Sequence, residues 1–381
     1  MSIIIQKFGG KLLETPEHIR RAAKLILKTK AAGDDPVVVV SAPGSTTDRF
    51  LELAHQVADE PDERELDMLL SVGERTAMAL LAMAINTDGR YRAVSFTGSQ
   101  IGIITDTQHT DARILEVKCL RIRETLERGE IPIVAGFQGV STEREITTLG
   151  RGGSDATAVA IAKALGAVRC ELIKESGAIY SADPELVPEA VQIPQIDYDT
   201  LEQLTSAGAQ VVQPRAASLA KEHGVTLSIK GPEGNQGTLV TDNSLEIGAV
   251  ASVIMDDNLS LISFSSDAEM PVVQDILHFG IWYNTSNILV VRKRPNIEKS
   301  TAVAMISVNG SGGNLSLSVI ETSLAALNQA GISVLAASLS CGRYSVLINQ
   351  KDGKTGLRAI HQACLEKGYI KTAKFHHEKR I

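Results

Sequence analysis

The stretch "SIIIQKFGGKLLE" (residues 2–14) runs from strand-forming residues directly into a lysine and two glycines. Consecutive isoleucines are typical of a buried β-strand, and Lys7, Gly9 and Gly10 stand where that strand would end. Glycines let the backbone approach a ligand closely, and the lysine supplies positive charge. The pattern predicts a strand that brings a glycine turn and a cation to a phosphate. However, Lys11 and Leu12 stand where a phosphate loop normally offers a small hydroxyl.

Strands and helices alternate in the residues that follow this stretch. Residues 15–32 predict an amphipathic helix with Thr15 as its N-cap, and residues 35–44 predict a strand buried on both faces. Further helices are predicted at 47–59, 63–85, 111–129 and 154–166, and further strands at 91–98, 131–140 and 169–174. This β-α-β order predicts an α/β fold with a mostly parallel sheet and helices on both of its faces.

The pattern changes near residue 230, where a turn-rich segment (230–243) predicts an exit from the first domain. Shorter elements follow, and they read as two small α+β modules in tandem. Strands are predicted at 259–265, 286–293, 302–308, 331–340 and 344–350, and helices at 268–278, 315–330 and 353–367. The expected division is therefore a first domain at 1–243 and a second domain at 250–381. Because such sheets present edges that need pairing, the second domain predicts a homodimer.

Composition limits the range of functions. The chain has 381 residues, of which 44% are hydrophobic and 22% charged, with a net charge of −7. This balance argues against a nucleic-acid or membrane-surface partner, and no apolar run reaches the roughly 18 residues of a membrane span. The four cysteines lie far apart and show no metal-ligand spacing, which predicts reduced thiols and no protein-built metal site. We therefore expect a cytoplasmic protein.

The strongest chemical signal is "TTLGRGGSDATAVAIAKALGA" (147–167). Arg151, Ser154 and Asp155 stand at the mouth of a predicted helix, whose amide groups attract anions. Arg151 adds a planar fork suited to a carboxylate or phosphate. Taken alone, the motif fits either a ligand site or an ordinary capped helix start.

Eight sequence blocks, taken in order, resemble the aspartokinases of the amino acid kinase family. The blocks are "QKFGG" (6–10), "VVSAPGSTTD" (39–48), "SVGERTAMALLAMA" (71–84), "SFTGSQIGIITD" (95–106), "GFQGV" (136–140), the stretch at 147–167, "IYSADPELVPEA" (179–190) and "SAGAQVVQPRAASLA" (206–220). The resemblance covers nearly the whole chain. It implies a three-layer αβα sandwich followed by two ACT-type modules. It also implies transfer of the ATP γ-phosphate to the side-chain carboxylate of L-aspartate, assisted by Mg²⁺.

The resemblance assigns roles on the aspartate side of the site. Lys7 and Asp155 are implied as catalytic residues, and Glu74 as the holder of the substrate's α-amino group. Arg151 is implied as the clamp on a substrate carboxylate. The remaining members of the implied substrate pocket are Ser41, Thr47, Phe137 and Ser154. Each has a simpler interpretation as a solvated strand-end lysine, a helix glutamate, a turn or cap residue, or plain core.

The nucleotide side departs from the family pattern. The residues implied there are Lys7, Gly9, Gly10, Lys11, Lys174, Glu175, Tyr180 and Asp183. Two family cations are replaced by Glu185 and Gln210, and Lys11-Leu12 replaces the usual Thr-Ser. We expect Lys11 or Lys174 to compensate by contacting phosphate, and Glu175 to accept a hydrogen bond from ribose or base.

Two alternatives stay open from the sequence. The chain could be a non-catalytic homologue that binds an amino acid and serves as a regulatory or partner subunit. It could also be a kinase for a different amino-acid carboxylate or with a different nucleotide. An amino-acid effector could bind between the ACT-type modules through Asn309, Asn314 and Ser316, although a plain turn explains these residues equally well.

Overall fold

The computed structural model describes residues 2–209, 211–234, 237–243, 248–264, 276–277, 287–292, 300–311, 314–340 and 342–371. The chain divides into two compact units, of which the first comprises Met1–Ile179 and Val211–Asn243. The second comprises Tyr180–Gln210 and Ser244–Ile381. Each unit is described by itself below.

Strands and helices alternate through most of the first unit, as the sequence pattern predicts. The strands up to residue 179 are β1 (Ile3–Phe8), β2 (Asp35–Val40), β3 (Ala93–Phe96), β4 (Ile103–Thr105), β5 (Ile114–Val117), β6 (Ile131–Ala135), β7 (Gln138–Ser141), β8 (Ile146–Thr148) and β9 (Arg169–Ile173). The helices are α1 (Pro16–Ala31), α2 (Thr46–Val57), α3 (Glu63–Leu70), α4 (Val72–Asn86), α5 (Gly98–Ile101), α6 (Leu120–Glu127) and α7 (Gly153–Leu165), with a 3₁₀ turn at Gly10–Leu13.

The remaining elements are shorter on average. From residue 179 to residue 243 they are β10 (Ile179–Tyr180), β11 (Gln192–Ile193), β12 (Gln195–Asp197), α8 (Tyr198–Ser206), α9 (Pro214–His223), β13 (Leu227–Lys230) and β14 (Thr238–Thr241). Beyond residue 243 they are β15 (Val250–Phe264), β16 (Ile276–Leu277), β17 (Asn287–Arg292), β18 (Ser300–Gly310), α10 (Leu317–Gln329), β19 (Ala336–Ser340), β20 (Arg343–Asn349) and α11 (Gly353–Glu366).

The first unit is built on one mostly parallel sheet. Within this unit the strands of the sheet have the order β14-β13-β9-β1-β2-β6-β3, and every neighbouring pair among them is parallel except β13 with β14. The central strands β1 and β2 are almost entirely buried, as expected for continuous apolar runs covered on both faces. Helices α1 and α4 share a hydrophobic core with one face, and α7 packs against β1, β2 and β9. The expected three-layer αβα sandwich is therefore confirmed.

A second, smaller sheet in this unit was not expected. It has the order β5-β4-β7-β8. The helix predicted at 111–129 is wrong in its first half, because residues 114–117 form strand β5. Helix α6 begins only after Cys119, which adopts a left-handed conformation with φ 55°. The β-branched and apolar residues of "ILEV" therefore pair with β4 rather than starting a helix.

The second unit contains an antiparallel sheet with the order β16-β17-β15-β18-β20-β19, and helices α10 and α11 accompany it. This sheet agrees with the ACT-like modules that the sequence predicts. Strand β17 and the elements predicted between 300 and 367 are found close to their expected bounds, except that β19 begins at Ala336 rather than at residue 331. Of the helix expected at 268–278, residues 276–277 are strand, and the rest lies outside the described residues.

By its contacts the segment Tyr180–Gln210 groups with the second unit, while the expected division at 1–243 and 250–381 stays a prediction. Ala182 and Val187 are buried in the same hydrophobic cluster as strand β18 and helix α11. The Ser181 carbonyl also accepts a hydrogen bond from the Val253 amide at 2.7 Å. The buried apolar contacts, which sequence order does not reveal, decide where this segment packs.

Among the described residues, one stretch is long and apolar enough to cross a membrane if only length and composition are considered. It consists of helices α3 and α4. The stretch breaks at Ser71, between the two helices, and buries Asp67 and Glu74. Helix α4 also packs against α1 and β6. A core helix of a folded domain has these features, and such a helix also passes the compositional test for a membrane span.

Candidate functional site

Four neighbouring parallel strands of the first unit end at one edge of the sheet, in the order β9-β1-β2-β6. In open α/β sheets, ligands bind in the crevice beyond the carboxyl ends of such strands. The residues at or just beyond the ends of these strands include Lys174 (β9), Lys7 (β1), Ser41 (β2) and Phe137 (β6). The sheet topology therefore gathers residues that are distant in sequence.

A buried charge cluster lies at this edge. Asp155, in the first turn of α7, is only 2% exposed. Its Oδ1 lies 2.6 Å from Lys7 Nζ, and its Oδ2 lies 2.9 Å from Lys174 Nζ. The sequence implied Lys7 and Asp155 as catalytic residues, and the structure adds that Lys174 shares the same carboxylate.

The pKa values of this cluster follow from its charges. Burial would raise the pKa of Asp155, but the charges of Lys7 and Lys174 outweigh burial and hold it well below its usual range. Burial lowers the pKa of the Lys174 ammonium, Asp155 raises it, and the charge of Lys7 lowers it again, so that the net shift is downward. The site thus carries two cations against one carboxylate.

The glycine turn after β1 explains the missing hydroxyls. Residues 10–13 form a 3₁₀ turn in which Leu12 and Leu13 are buried in the core beside α1. A side chain at Gly10 would bring its Cβ within 2.5 Å of the Ala42 carbonyl oxygen, so only glycine fits there. Leu12, which replaces the serine of the family pattern, is therefore a core residue in this chain.

Lys11 points away from this core. Its Nζ lies 3.2 Å from Glu175 Oε2, and both side chains are more than half exposed. Such exposed ion pairs contribute little to stability and can be exchanged for another partner. Lys11 and Glu175 are thus both accessible at the rim of the crevice.

Glu74 stands in the first turn of α4 and is 3% exposed. Its Oε1 accepts a hydrogen bond from the Ala42 amide at 2.9 Å, while its buried Oε2 has no hydrogen-bond partner among the described residues. Burial raises the pKa of Glu74 to about 7, although the Ala42 amide and the charge of Lys7 act in the opposite direction. An unsatisfied buried carboxylate oxygen favours a cationic ligand at this point.

Two more predicted residues line the same edge. Phe137 adopts the left-handed conformation with φ 68°, which is strained for an aromatic residue. Its amide donates to Thr157 Oγ1 at 3.1 Å, and this bond fixes it to α7. Ser154 is buried, and its Cβ would lie 2.8 Å from a side chain added at Gly136. Strained backbone held by neighbouring contacts is typical of functional sites.

The other predicted residues are more open. Ser41, directly after β2, and Thr47, in the first turn of α2, are both half-buried. Arg151 is exposed, between Gly150 and Gly152, which both have positive φ angles. Arg151 is therefore free to turn toward a ligand, but it takes no part in the buried cluster.

The remaining predicted residues belong to the second unit or lie outside the described residues. Tyr180 and Asp183 belong to the second unit, where Asp183 Oδ1 accepts a hydrogen bond from the Glu185 amide at 2.9 Å. Their assignment to a nucleotide site stays a prediction. Gln210 lies outside the described residues. In the second unit, Asn309 is buried, and its amide group donates to the Ser307 carbonyl at 3.3 Å.

Asp67 is a buried acid that the sequence reasoning missed. Asp67 in α3 is fully buried and faces His109, with its Oδ2 2.7 Å from His109 Nδ1. The available signal was an acidic residue on the buried face of an amphipathic helix, two turns before Glu74. Such a residue needs a partner, because buried charges are costly when unpaired.

A parallel sheet with a glycine turn and a lysine–carboxylate–lysine cluster at its carboxyl edge is typical of α/β domains that bind anionic ligands. Residues 2–231 match the model of the amino acid kinase family, and the chain belongs to this family. Its curated relatives include the aspartokinase of Geobacillus stearothermophilus, which is 35% identical over 396 residues, covering 95% of this chain and 97% of the relative. The aspartokinase of Corynebacterium glutamicum is 35% identical over 406 residues, covering 95% and 96%.

A solved structure has the same fold. E. coli aspartokinase III in complex with aspartate and ADP, in its R-state, superposes with a TM-score of 0.77 at 18% identity. The match covers 95% of this chain and 100% of that one. It supports the αβα sandwich and the additional antiparallel sheet described above.

Proposed function

We propose that this protein transfers the γ-phosphate of ATP to the side-chain carboxylate of L-aspartate, giving 4-phospho-L-aspartate. The observation that carries the proposal is the Lys7–Asp155–Lys174 cluster at the carboxyl edge of the sheet, with the unpaired Glu74 oxygen in the same crevice. Aspartokinases similar over almost the whole chain support aspartate as the acceptor.

The two lysines supply the charge that phosphoryl transfer requires. Negative charge moves toward the leaving oxygen in this reaction, and fixed cations stabilise it best in a buried site. Each ammonium has three N–H donors, so Lys7 and Lys174 can bind Asp155 and still donate to phosphate oxygens. Asp155 thus holds both cations in place before the nucleotide arrives, and no covalent intermediate on the protein is needed.

The acceptor is held by groups of complementary charge. Ionised Glu74 binds the α-amino group of aspartate through its unpaired Oε2. Arg151 turns inward to clamp the carboxylate that does not react. The strained Phe137 and the hydroxyls of Ser41, Thr47 and Ser154 form the wall of the pocket. This arrangement directs the remaining carboxylate toward the two lysines.

The nucleotide lies along the glycine turn. Gly9 and Gly10 allow phosphates to approach the backbone, Lys11 contacts them from the rim, and Glu175 accepts from the ribose or base. Tyr180 and Asp183 belong to the same proposed nucleotide set.

Mg²⁺ would reach the site with the nucleotide. Among the described residues, no group of three His, Cys, Asp or Glu side chains could hold a metal ion. This suits an ion that keeps several waters and is held largely by substrate phosphates. When bound, Mg²⁺ neutralises phosphate charge and orients the phosphate groups.

We further propose a homodimer formed through the second unit, an amino-acid effector bound by that unit, and a cytoplasmic location. The described cysteines Cys119, Cys170 and Cys364 are buried free thiols, which suits a reducing compartment.

A coupled assay of ADP formation by the full chain tests the proposal. We expect ADP formation that requires both L-aspartate and Mg²⁺, and a loss of at least about a hundredfold in Lys7→Met, since one preorganised donor is worth that much in many enzymes. Aspartate binding in calorimetry without any ADP formation would instead identify the non-catalytic homologue. The similarity to aspartokinases over 95% of the chain does not favour that alternative.

A further inference from the structure

The buried carboxylate of Asp67 lies outside the site described above. It is fully buried within α3, and three groups from two other segments converge on it. His109 Nδ1 lies 2.7 Å from Oδ2, and the Thr110 amide donates to Oδ1 at 3.1 Å. The Thr148 hydroxyl donates to Oδ1 as well. A buried acid with this many donors forms a rigid junction, because each donor would lose its partner if the carboxylate moved.

The junction connects the two elements that carry the proposed aspartate-binding charges. Asp67 belongs to α3, which leads through Ser71 directly into α4 and Glu74. Thr148 is the last residue of β8, and Arg151 follows three residues later. The Asp67 carboxylate therefore joins α3, which leads to Glu74, to strand β8, which leads to Arg151.

The loop between β4 and β5 fills the space between these supports. Thr110 in this loop has φ 63°, a strained conformation for a β-branched residue. The Ala112 amide donates to the Thr148 carbonyl at 2.9 Å. The loop is thereby fastened to Asp67 at Thr110 and to strand β8 at Ala112.

A second clamp holds the same loops together from α9. Arg215 Nη1 donates to the carbonyls of Ala112 at 3.1 Å and Leu149 at 2.9 Å, and Nη2 lies 3.0 Å from Asp111 Oδ1. A side chain at Gly150 would come within 2.4 Å of Asp111 Oδ1. The residues immediately before Arg151 therefore have little freedom.

We propose that Asp67 and His109 are positioning residues that fix the base of Arg151 relative to Glu74 and so determine the affinity for the amino-acid substrate. The inference rests on the proposed function, since it takes the substrate to be held by Glu74 and Arg151. Neither Asp67 nor His109 contacts the substrate. The nucleotide lies on the glycine turn after β1, which the junction does not touch.

The test compares variants of the full chain by steady-state kinetics. Asp67→Asn and His109→Ala should raise the KM for aspartate roughly 10- to 100-fold, since small displacements of a binding group have effects of that size. The KM for ATP should change by less than about threefold, because the loops at 109–112 and 148–151 do not support the glycine turn. His109→Asn keeps an N–H donor near the position of Nδ1 and should recover most of the aspartate affinity.

Arg64→Ala is the matched control. Arg64 lies in the same helix as Asp67 and its Nη2 is 2.9 Å from Glu145 Oε2, in the turn between β7 and β8. The pair joins α3 to the residue directly before β8, but both side chains are over 40% exposed. We expect wild-type kinetics from this variant.

Two results would overturn the inference alone: unchanged aspartate KM in His109→Ala, or equal increases in the KM for aspartate and ATP with no recovery in His109→Asn. The His109 variants decide the question even where Asp67→Asn fails to fold, because His109 is about one-fifth exposed. A wild-type protein that forms no ADP with aspartate would overturn the proposed function and this inference together.

Discussion

Glu74 gives the sharpest prediction, because its pKa and its proposed role are linked. Burial raises the pKa of this carboxyl from 4.5 to about 7 in the folded protein. Only the ionised form binds the ammonium group of aspartate. Near pH 6 the free protein therefore holds a proton on Glu74 that it must release when aspartate binds.

The size of the effect follows from the pKa. With a pKa of about 7, Glu74 is roughly 90% protonated at pH 6 and roughly 10% protonated at pH 8. Aspartate binding should thus release about 0.9 proton at pH 6 and about 0.1 at pH 8. The affinity at pH 6 should be about tenfold weaker than at pH 8. Glu74→Gln should bind weakly at both pH values and show almost none of this proton release.

The same pKa shift predicts a stability effect with a defined sign. Between pH 4.5 and about 7, the folded protein retains a proton that the unfolded chain has already released. The stabilisation is therefore fully present below pH 4.5 and is lost as the pH rises through about 7. At 1.36 kcal/mol for each pH unit, the loss amounts to about 3 kcal/mol. Glu74→Gln should lack this loss, so its stability relative to wild type should rise by that amount.

Isothermal titration calorimetry in two buffers of different ionisation enthalpy measures the released protons, and urea unfolding at pH 5 and pH 8 measures the stability. The reasoning is refuted if wild type and Glu74→Gln release the same number of protons at pH 6. It is equally refuted if their stability difference is independent of pH.

Three further predictions concern the nucleotide, the acceptor and assembly. Lys174→Met should weaken ATP·Mg²⁺ binding by about 1–3 kcal/mol, the range for hydrogen bonds to charged groups, and undiminished affinity in calorimetry would exclude a phosphate contact. Arg151→Ala should raise the KM for aspartate at least about tenfold at unchanged melting temperature, because the substrate carboxylate loses its bidentate partner; wild-type kinetics would remove Arg151 from the pocket. The full chain should elute as a dimer in size-exclusion chromatography with light scattering, since antiparallel sheet edges favour pairing, and a monomer at all concentrations would contradict this.

Local sequence patterns predicted the main helices and strands of the αβα sandwich well. The helix expected at 15–32 is found at Pro16–Ala31, and the Thr15 hydroxyl accepts from the His18 amide at 3.2 Å, as its N-cap role requires. Strand β1 and helix α7 were equally well marked, because long apolar runs and glycine-rich helix starts leave strong patterns. The small sheet around β5 was missed, because strands of three or four residues carry little periodicity.

Prediction of the candidate site from the sequence was limited in the same way. Lys7, Glu74 and Asp155 were identified by motif, and the structure buries all three in one crevice. The shared contact of Lys174 and Lys7 with Asp155 was not visible, because the order of the strands decides which strand ends become neighbours. Tertiary contacts likewise moved the segment Tyr180–Gln210 to the second unit.

The most direct test asks where the phosphate goes. The full chain is incubated with ATP, Mg²⁺, L-aspartate and hydroxylamine, which traps an acyl phosphate as its hydroxamate. We expect aspartate hydroxamate at the side-chain carboxyl, formed in equal amounts with ADP and absent when Lys7→Met replaces wild type. ADP formation without hydroxamate, or no ADP from the wild type at saturating substrates, would contradict phosphorylation of aspartate by this protein.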